Sequence, residues 1–221
     1  MNPSPRPSRP AARPCGTHPA PAPALTMRPG SLPVADADPV APVRRALPDM
    51  LPDSLRESTF ARLDPDRAPE AYRVCQEYAD QESYQGRQGL LLYGRRGAGK
   101  SSLAAAILHQ TIARSHTPHY AAFWPVACSL QVVRDTEFLP RPYRVELTDL
   151  LDQPLPILDQ LGGPTSLWEA SHLEELLRLL RVRPGPTVVT TDLSICRLRQ
   201  ALGDFWVEEL LKWYHPVRVG R

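Results

Sequence analysis

Eight consecutive residues, Gly94 to Ser101, have types and a spacing suited to binding phosphate groups. Their sequence is GRRGAGKS, which fits the Walker A pattern G-x-x-x-x-G-K-[ST] in full. Glycines let the backbone turn tightly, so that its N–H groups approach phosphate oxygens. A helix that begins at the lysine directs its positive end to the same place. The predicted chemistry is therefore the binding of a nucleoside triphosphate.

The types of the loop residues also predict how each one takes part. Lys100 can reach the β- and γ-phosphates, and the Ser101 hydroxyl can ligate Mg²⁺. Arg95 and Arg96 either add positive charge beside the phosphates or lie solvated in the loop. The predicted cofactors are ATP and Mg²⁺, and the predicted nucleotide-binding residues are Gly94, Arg95, Arg96, Gly97, Ala98, Gly99, Lys100, Ser101 and Ser102.

A P-loop protein also needs an acidic residue at the end of a neighbouring strand to hold magnesium. Asp159 is the best candidate because it follows the apolar run Leu155–Leu158, whereas Asp149 and Asp152 end no such run. Many hydrolytic P-loop proteins place a second carboxylate directly after this aspartate, and here that position is Gln160. A neutral amide can position water but is a very poor base, so we expect tight ATP binding and slow hydrolysis.

Segments of strand and helix character alternate around these residues. The alternation predicts an α/β protein, a three-layer α/β/α P-loop NTPase with a mainly parallel sheet. The predicted strands are residues 89–93, 120–126, 155–158, 187–191 and 216–219. The predicted helices are residues 68–80, 100–114, 129–136, 167–181, 194–202 and 203–213.

Residues 1–52 differ in composition from the rest of the chain. They hold 14 of the 26 prolines and no aromatic residue, so they cannot bury enough apolar surface to offset the entropy of ordering. We expect a disordered tail here and a single nucleotide-binding domain at residues 53–221. Contact with DNA or with a partner protein is the alternative role for this arginine-containing tail. Met27 is an alternative start of the protein.

The bulk composition narrows the class of protein further. The 42% hydrophobic and 23% charged content is ordinary for a globular protein, and a net charge of +2 does not by itself indicate nucleic-acid binding. No apolar run has the roughly 18 residues of a membrane helix, and no apolar signal segment begins the chain. We expect a cytoplasmic protein without a membrane partner. The four cysteines form no CxxC pair, so neither a zinc site nor a thioredoxin-like motif is predicted.

The order of these motifs resembles the DnaC/IstB-like group of AAA+ ATPases. That group holds bacterial and phage replicative helicase loaders and the ATP-binding helper proteins of some transposons. The resemblance covers about residues 55 to 221. It depends on TFARLD at 59–64, the P-loop GRRGAGKSSLAAAI, ILDQLG at 157–162, PTVVTTDL at 186–193 and ALGDFWVEELL at 201–211.

The resemblance implies roles for particular residues. Lys100 and Ser101 would bind phosphate and magnesium, and Asp159 would be the Walker B aspartate. Asp192 falls at the sensor 1 position, where the family usually has asparagine, and an aspartate near a γ-phosphate is unfavourable unless it faces the metal. The stretch Phe205–Leu210, which is similar to the one that usually holds the arginine finger, contains no arginine. The candidate catalytic residues are Asp159, Gln160 and Asp192.

These features predict an ATP-dependent accessory protein of DNA replication or transposition. It would be a weak ATPase that acts as an ATP-controlled switch on a replicative helicase or a transposase. Single-stranded DNA and an ATP-dependent homo-oligomer are further expected partners. Two alternatives are a non-hydrolysing interaction protein with a vestigial nucleotide site and a small P-loop kinase. Stimulation by DNA, as opposed to phosphoryl transfer to a small acceptor, distinguishes the leading hypothesis from the kinase.

Overall fold

The computed structural model describes residues 51–80, 89–115, 121–140, 144–163, 166–182 and 186–220. The predicted tail at residues 1–52 therefore lies outside the described residues, except for Leu51 and Pro52, and so does Met27. Leu51 is buried and belongs to one of the two hydrophobic clusters of the domain.

Among the described residues, five strands form one sheet. They are β1 (Gly89–Tyr93), β2 (Ala121–Pro125), β3 (Leu155–Asp159), β4 (Val188–Thr191) and β5 (Tyr214–Arg218). Their order in the sheet is β2-β3-β4-β1-β5, and all of these pairings are parallel. The carboxyl ends of the strands therefore meet at one edge of the sheet, and β4 separates β1 from β3 there.

Helices follow the strands along the chain. Among the described residues, two short 3₁₀ helices, Asp53–Leu55 and Pro65–Arg67, precede the first α-helix. The α-helices are α1 (Pro69–Ala79), α2 (Lys100–Ser115), α3 (Val126–Thr136), α4 (Leu147–Leu150), α5 (Leu167–Val182), α6 (Ile195–Leu202) and α7 (Asp204–Trp213).

The strands bury side chains on both faces of the sheet, because successive side chains of a strand point to opposite faces. On one face, Leu92 of β1 belongs to a cluster with Cys75 of α1 and Ile107 of α2. On the other face, Leu91 belongs to a second cluster with residues of α3 to α7, among them Leu176 of α5. The predicted three-layer α/β/α architecture with a mainly parallel sheet is confirmed.

Helix α2 lies close to the sheet because of its small residues. Ala104, Ala105 and Ala106 have no exposed surface, and they belong to the same cluster as the β1 side chains. Small side chains allow a helix to approach its neighbours closely, and the tight packing of this core holds the helix in place. The beginning of α2, at the carboxyl edge of the sheet, is thereby positioned beside the end of β1.

The structure differs from the sequence prediction at a few elements. Helix α4 was not predicted, because four residues are too few to show a period. A capping box between Glu146 and Asp149 caps its N-terminus. Strand β5 begins at Tyr214, two residues earlier than predicted, and it tolerates Pro216 because it pairs only with β1 among the described strands.

None of the helices in the described ranges combines the length and the apolar character that a membrane span needs.

Candidate nucleotide-binding site

The predicted phosphate-binding loop joins β1 to α2 at the carboxyl edge of the sheet. The Leu103 N–H donates to the Gly99 carbonyl at 2.9 Å, which is the first backbone bond of the helix. The N–H groups of Lys100, Ser101 and Ser102 come before this bond, so they have no acceptor within the helix. The positive end of the α2 dipole therefore faces the loop, as anion binding requires.

Gly94 begins the loop in a place where no other residue fits. Its φ is 147°, and a Cβ atom there would lie 2.4 Å from the Val219 carbonyl oxygen. The Val219 N–H donates to the Tyr93 carbonyl at 2.8 Å, so the chain after β5 packs directly against the start of the loop. At the other end, Gly99 has a φ of 99°, which glycine adopts at little cost.

Lys100 is 4% exposed, and its ammonium group has three acceptors in the described part of the chain. Nζ donates to the carbonyl oxygens of Gly94 at 3.0 Å and Arg95 at 2.8 Å. It also forms an ion pair with Asp192, with Nζ 2.6 Å from Oδ1. Because an ammonium group has three N–H donors, these contacts use all of them. The structure thus brings together Lys100 and the predicted sensor 1 residue.

Asp159 ends β3 and is 2% exposed. Its Oδ1 accepts hydrogen bonds from the Ser101 hydroxyl at 2.8 Å and the Thr190 hydroxyl at 2.6 Å. Burial is the largest influence and raises the pKa of Asp159, and the negative charge of Asp192 raises it further. The two hydroxyl groups and Lys100 act in the opposite direction, since they stabilise the carboxylate. The structure therefore brings together Ser101 and Asp159, the two predicted magnesium ligands.

The competing carboxylate Asp149 lies elsewhere. It belongs to α4, and its Oδ2 accepts from the Glu146 N–H at 2.8 Å as part of the capping box. Asp152 follows α4 and precedes β3. Of the three candidates, Asp159 is the one that contacts the P-loop serine.

Thr190 is a site residue that the sequence did not reveal. It is fully buried on β4, and its hydroxyl donates to Asp159 and accepts from the Gln160 N–H at 2.9 Å. In the sequence it reads as one more β-branched residue of a strand. Its role depends on β4 lying next to β3, and a single sequence does not disclose that order.

Gln160 has a φ of 62°, which is uncommon for a residue with a Cβ atom. Its N–H is held by the Thr190 hydroxyl, and the next N–H, of Leu161, donates to the Thr190 carbonyl at 2.7 Å. Two consecutive hydrogen bonds to Thr190 of β4 thus keep the chain in this strained turn. The Gln160 side chain itself is exposed.

The other predicted residues lie further from this centre or in solvent. The Arg95 and Arg96 side chains are exposed, as in the solvated alternative, and Arg95 contributes its backbone carbonyl to Lys100. The stretch Phe205–Leu210 lies in α7, where the Phe205 ring is 5.5 Å from the Arg181 guanidinium carbon.

A cavity of about 270 Å³ opens beside the loop. The Arg67 guanidinium at its wall donates to the Gly97 carbonyl at 2.7 Å. The Tyr72 hydroxyl donates to the Phe60 carbonyl at 2.7 Å, which connects α1 to the preceding segment. The sequence did not predict this cavity. It is lined by Arg62, Leu63, Asp64, Arg67, Ala68, Tyr72, Ala98, Gly99, Ser102 and Leu103.

The residues of the centre fit the predicted cofactors. Mg²⁺ takes hard oxygen ligands at about 2.0–2.1 Å, so neighbouring ligands of an octahedron are about 2.9 Å apart. The Ser101 and Asp159 oxygens are 2.8 Å apart, which matches such a pair. The free N–H groups at the start of α2, together with Lys100, are the donors that phosphate oxygens require.

Many solved structures share this fold, among them the following three. The DnaC helicase loader has a TM-score of 0.65 and 18% identity, with 76% of this chain and 99% of that chain covered. A putative primosome component from Streptococcus pyogenes serotype M3 has a TM-score of 0.62 and 20% identity, with 80% of this chain and 98% of that chain covered. The replication initiator DnaA bound to AMPPCP and single-stranded DNA has a TM-score of 0.59 and 16% identity, with 77% of this chain and 51% of that chain covered. No protein-family model and no curated protein matches the sequence.

The chain therefore has the three-layer α/β/α fold of these proteins, and the loop between β1 and α2 has the sequence predicted to bind phosphate. Within that class, the particular fold is the one that the DnaC helicase loader and DnaA share. The predicted resemblance to DnaC/IstB-like AAA+ proteins is thus confirmed at the level of the fold, and the low identities make this chain divergent.

Proposed function

We propose that this chain is an ATP- and Mg²⁺-binding member of the DnaC/IstB-like AAA+ family that acts in DNA replication. The observation that carries this proposal is the hydrogen bond from Ser101 to Asp159 at the N-terminus of α2, which begins with Lys100. A helicase loader, a putative primosome component and a replication initiator have the same fold, which favours a replicative helicase over a transposase as the partner. Residues 53–221 form the ATP-binding domain.

In this proposal the phosphates of ATP lie against the N–H groups at the start of α2 and accept from Lys100. Ser101 and Asp159 would hold Mg²⁺, which would supply positive charge that offsets the charge of the phosphates. Thr190 is a positioning residue because its hydroxyl orients the Asp159 carboxyl group.

The cavity beside the loop is the proposed place for the base. It borders the loop at Gly99 and Ser102, and its wall combines the apolar side chains of Leu63 and Leu103 with polar groups. Apolar walls with a few polar groups are typical of sites for small molecules. DnaA in its AMPPCP complex is a protein of the same fold that holds a triphosphate analogue.

Hydrolysis is proposed to be slow. Gln160 is the residue after the magnesium-binding aspartate, and its amide cannot take a proton from water. The Phe205–Leu210 stretch provides no arginine to stabilise the charge that develops on the phosphate. The protein then acts as a switch, with one affinity for its partner in the ATP state and another in its absence.

Nucleotide binding tests the proposal directly. We expect the purified full chain to bind a fluorescent ATP analogue with Mg²⁺, and Lys100→Ala to weaken this binding by at least about tenfold, since a charge-assisted bond to phosphate is lost. Lys212→Ala is the matched control, because it removes a lysine that pairs with Glu209 on α7. Equal binding by the wild type and Lys100→Ala would contradict the proposal.

Turnover with and without single-stranded DNA tests the switch. We expect slow phosphate release from the wild type and at least about tenfold faster release from Gln160→Glu, because a carboxylate can act as a general base. Fast wild-type turnover, or no gain in Gln160→Glu, would refute slow hydrolysis. Transfer of the γ-phosphate to a small hydroxyl acceptor would refute the accessory role in replication.

A further inference from the structure

The ion pair between Lys100 and Asp192 has a consequence for phosphate binding. All three donors of the Lys100 ammonium group already have acceptors, namely two loop carbonyls and the Asp192 carboxylate. A phosphate oxygen can accept from Lys100 only when one of these three acceptors moves away. We propose that Asp192 is an internal anionic competitor for the nucleotide phosphates, which occupies Lys100 until a triphosphate displaces it.

Asp192 is the acceptor that is free to leave. The two carbonyls belong to the loop itself, and the loop is held at Gly94 by its close approach to Val219. Asp192, by contrast, is 41% exposed and lies on the connection between β4 and α6. Its side chain can rotate into water without moving the loop, and water then solvates the carboxylate.

The burial of Lys100 explains why an acceptor of this kind is present. A lysine that is 4% exposed needs a compensating negative charge, because an unpaired buried charge is strongly unfavourable. Asp192 supplies that charge in the protein without nucleotide. A bound phosphate supplies it instead, so the two anions are alternatives at one ammonium group.

The charge of Asp192 also opposes a triphosphate directly. The Asp192 Oδ1 lies 2.6 Å from the Lys100 ammonium group, so a phosphate that binds Lys100 comes close to this carboxylate. A triphosphate brings more negative charge to this point than a diphosphate does, so its repulsion by the Asp192 carboxylate is greater. Asp192 therefore weakens triphosphate binding more than diphosphate binding. Asparagine, which is neutral, would lack both effects.

This inference rests on the proposed nucleotide binding, and it is tested by calorimetry on the full chain with β,γ-methylene ATP and with ADP. We expect Asp192→Asn to bind the triphosphate about tenfold more tightly than the wild type, with a smaller gain for ADP. Asp135→Asn is the matched control, because it neutralises an exposed aspartate on α3 that pairs with Gln131. Its affinities should equal those of the wild type.

A second measurement uses no nucleotide. Asp192→Asn leaves Lys100 without its anionic partner, so the unfolding temperature of the nucleotide-free protein should fall, and saturating triphosphate should restore it. Asp192→Ala is a second variant that removes the carboxylate, in case the asparagine form does not fold. An unchanged unfolding temperature would show that the ion pair is absent in solution and would overturn the inference.

The outcomes separate this inference from the proposed function. Binding that depends on Lys100 but is equal or weaker in Asp192→Asn overturns the competitor role alone. Weaker binding seen with Mg²⁺ but not with EDTA also overturns it, and identifies Asp192 as a carboxylate that faces the metal. If neither the wild type nor Asp192→Asn binds nucleotide, the proposed nucleotide binding fails and this inference fails with it.

Discussion

The Asp159 carboxyl group lies almost completely out of water, and its hydroxyl partners make that burial tolerable. Ser101 and Thr190 both donate to the same carboxyl oxygen. Thr190 also accepts from the Gln160 N–H, so one hydroxyl holds both the carboxyl group and the strained turn that follows it. A buried group that loses such a partner retains its desolvation cost without compensation.

Thr190→Val is predicted to lower the free energy of unfolding by about 1–3 kcal/mol, because it leaves Asp159 short of a donor and Gln160 short of an acceptor. Thr191→Val is the matched control, since Thr191 is equally buried on the same strand. The Thr191 hydroxyl accepts one hydrogen bond, from the Leu193 N–H at 3.2 Å. The free energy of unfolding should therefore fall less in Thr191→Val than in Thr190→Val. Urea unfolding of both variants measures the difference, and equal losses would contradict the prediction.

Residues close together in sequence were the ones that the sequence could place. The P-loop and the strand that ends at Asp159 were predicted because each is a local pattern of residue types. The Lys100–Asp192 and Thr190–Asp159 contacts were not predicted, because each joins residues that are far apart in the sequence and belong to different parts of the fold. Those contacts require that β4 lies between β1 and β3, which depends on the packing of the whole domain.

At the scale of elements, the loop between β1 and α2 packs against the chain that follows β5. Val219 contacts the start of the loop through both its N–H and its carbonyl. Gly220 lies near Ala98 of the loop, because a Cβ atom added to Gly220 would be 3.3 Å from the Ala98 Cβ. The loop is therefore tightly packed at Gly94, where it leaves the sheet, and open at Gly97.

Two glycine substitutions test this difference within the loop. Gly94→Ala should lower the free energy of unfolding by about 2–4 kcal/mol, because the methyl group meets the Val219 carbonyl in an already strained conformation. The methyl group of Gly97→Ala would meet no atom within 4 Å. Only the positive φ of 77° opposes this substitution, so the free energy of unfolding should fall by about 1–2 kcal/mol. Thermal or urea unfolding compares the variants, and a greater loss in Gly97→Ala would refute the described packing.

The elements themselves were largely predicted from hydrophobic periodicity, because long helices and buried strands repeat their pattern over several residues. Helix α5 was predicted at residues 167–181 and is found at Leu167–Val182. Helix α3 begins at Val126, three residues earlier than expected, directly after the last residue of β2. Pro125 can occupy that junction because a proline fits just before a helix, where no backbone donor is needed.

At the scale of the whole molecule, the sheet separates two hydrophobic clusters. Cys75 of α1 lies in the cluster shared with α2 and has no exposed surface. Burial raises the pKa of the Cys75 thiol from 9.0 to about 12, because the thiolate would lose its hydration. Burial likewise raises the pKa of Tyr214 to about 12.

These shifts predict that the protein loses stability in alkali. The unfolded chain releases the Cys75 proton near pH 9 and the folded chain near pH 12, so the stabilisation is complete below pH 9 and is lost as the pH rises towards 12. The loss approaches about 1.4 kcal/mol per pH unit. In Cys75→Ala the free energy of unfolding should decline less steeply between pH 9 and 10. This interval lies below the pH range in which Tyr214 contributes to the decline.

Urea unfolding at pH 8, 9 and 10 measures that slope for each variant. Cys128→Ala is the control, since Cys128 is exposed on α3 and its removal should leave the slope of the wild type. The same slope in the wild type and in Cys75→Ala would show that the thiol titrates alike in the folded and unfolded chains.

The position of β1 in the sheet also bears on how the protein is made. Its partners are β4 and β5, which begin at Val188 and Tyr214, whereas β1 ends at Tyr93. During synthesis the ribosome therefore releases β1 with both edges unpaired, and roughly a hundred further residues must follow before a partner appears. Pairing over such distances is slow, and an apolar strand left open meanwhile can associate with other chains. We expect the nascent protein to depend on chaperones until β4 emerges.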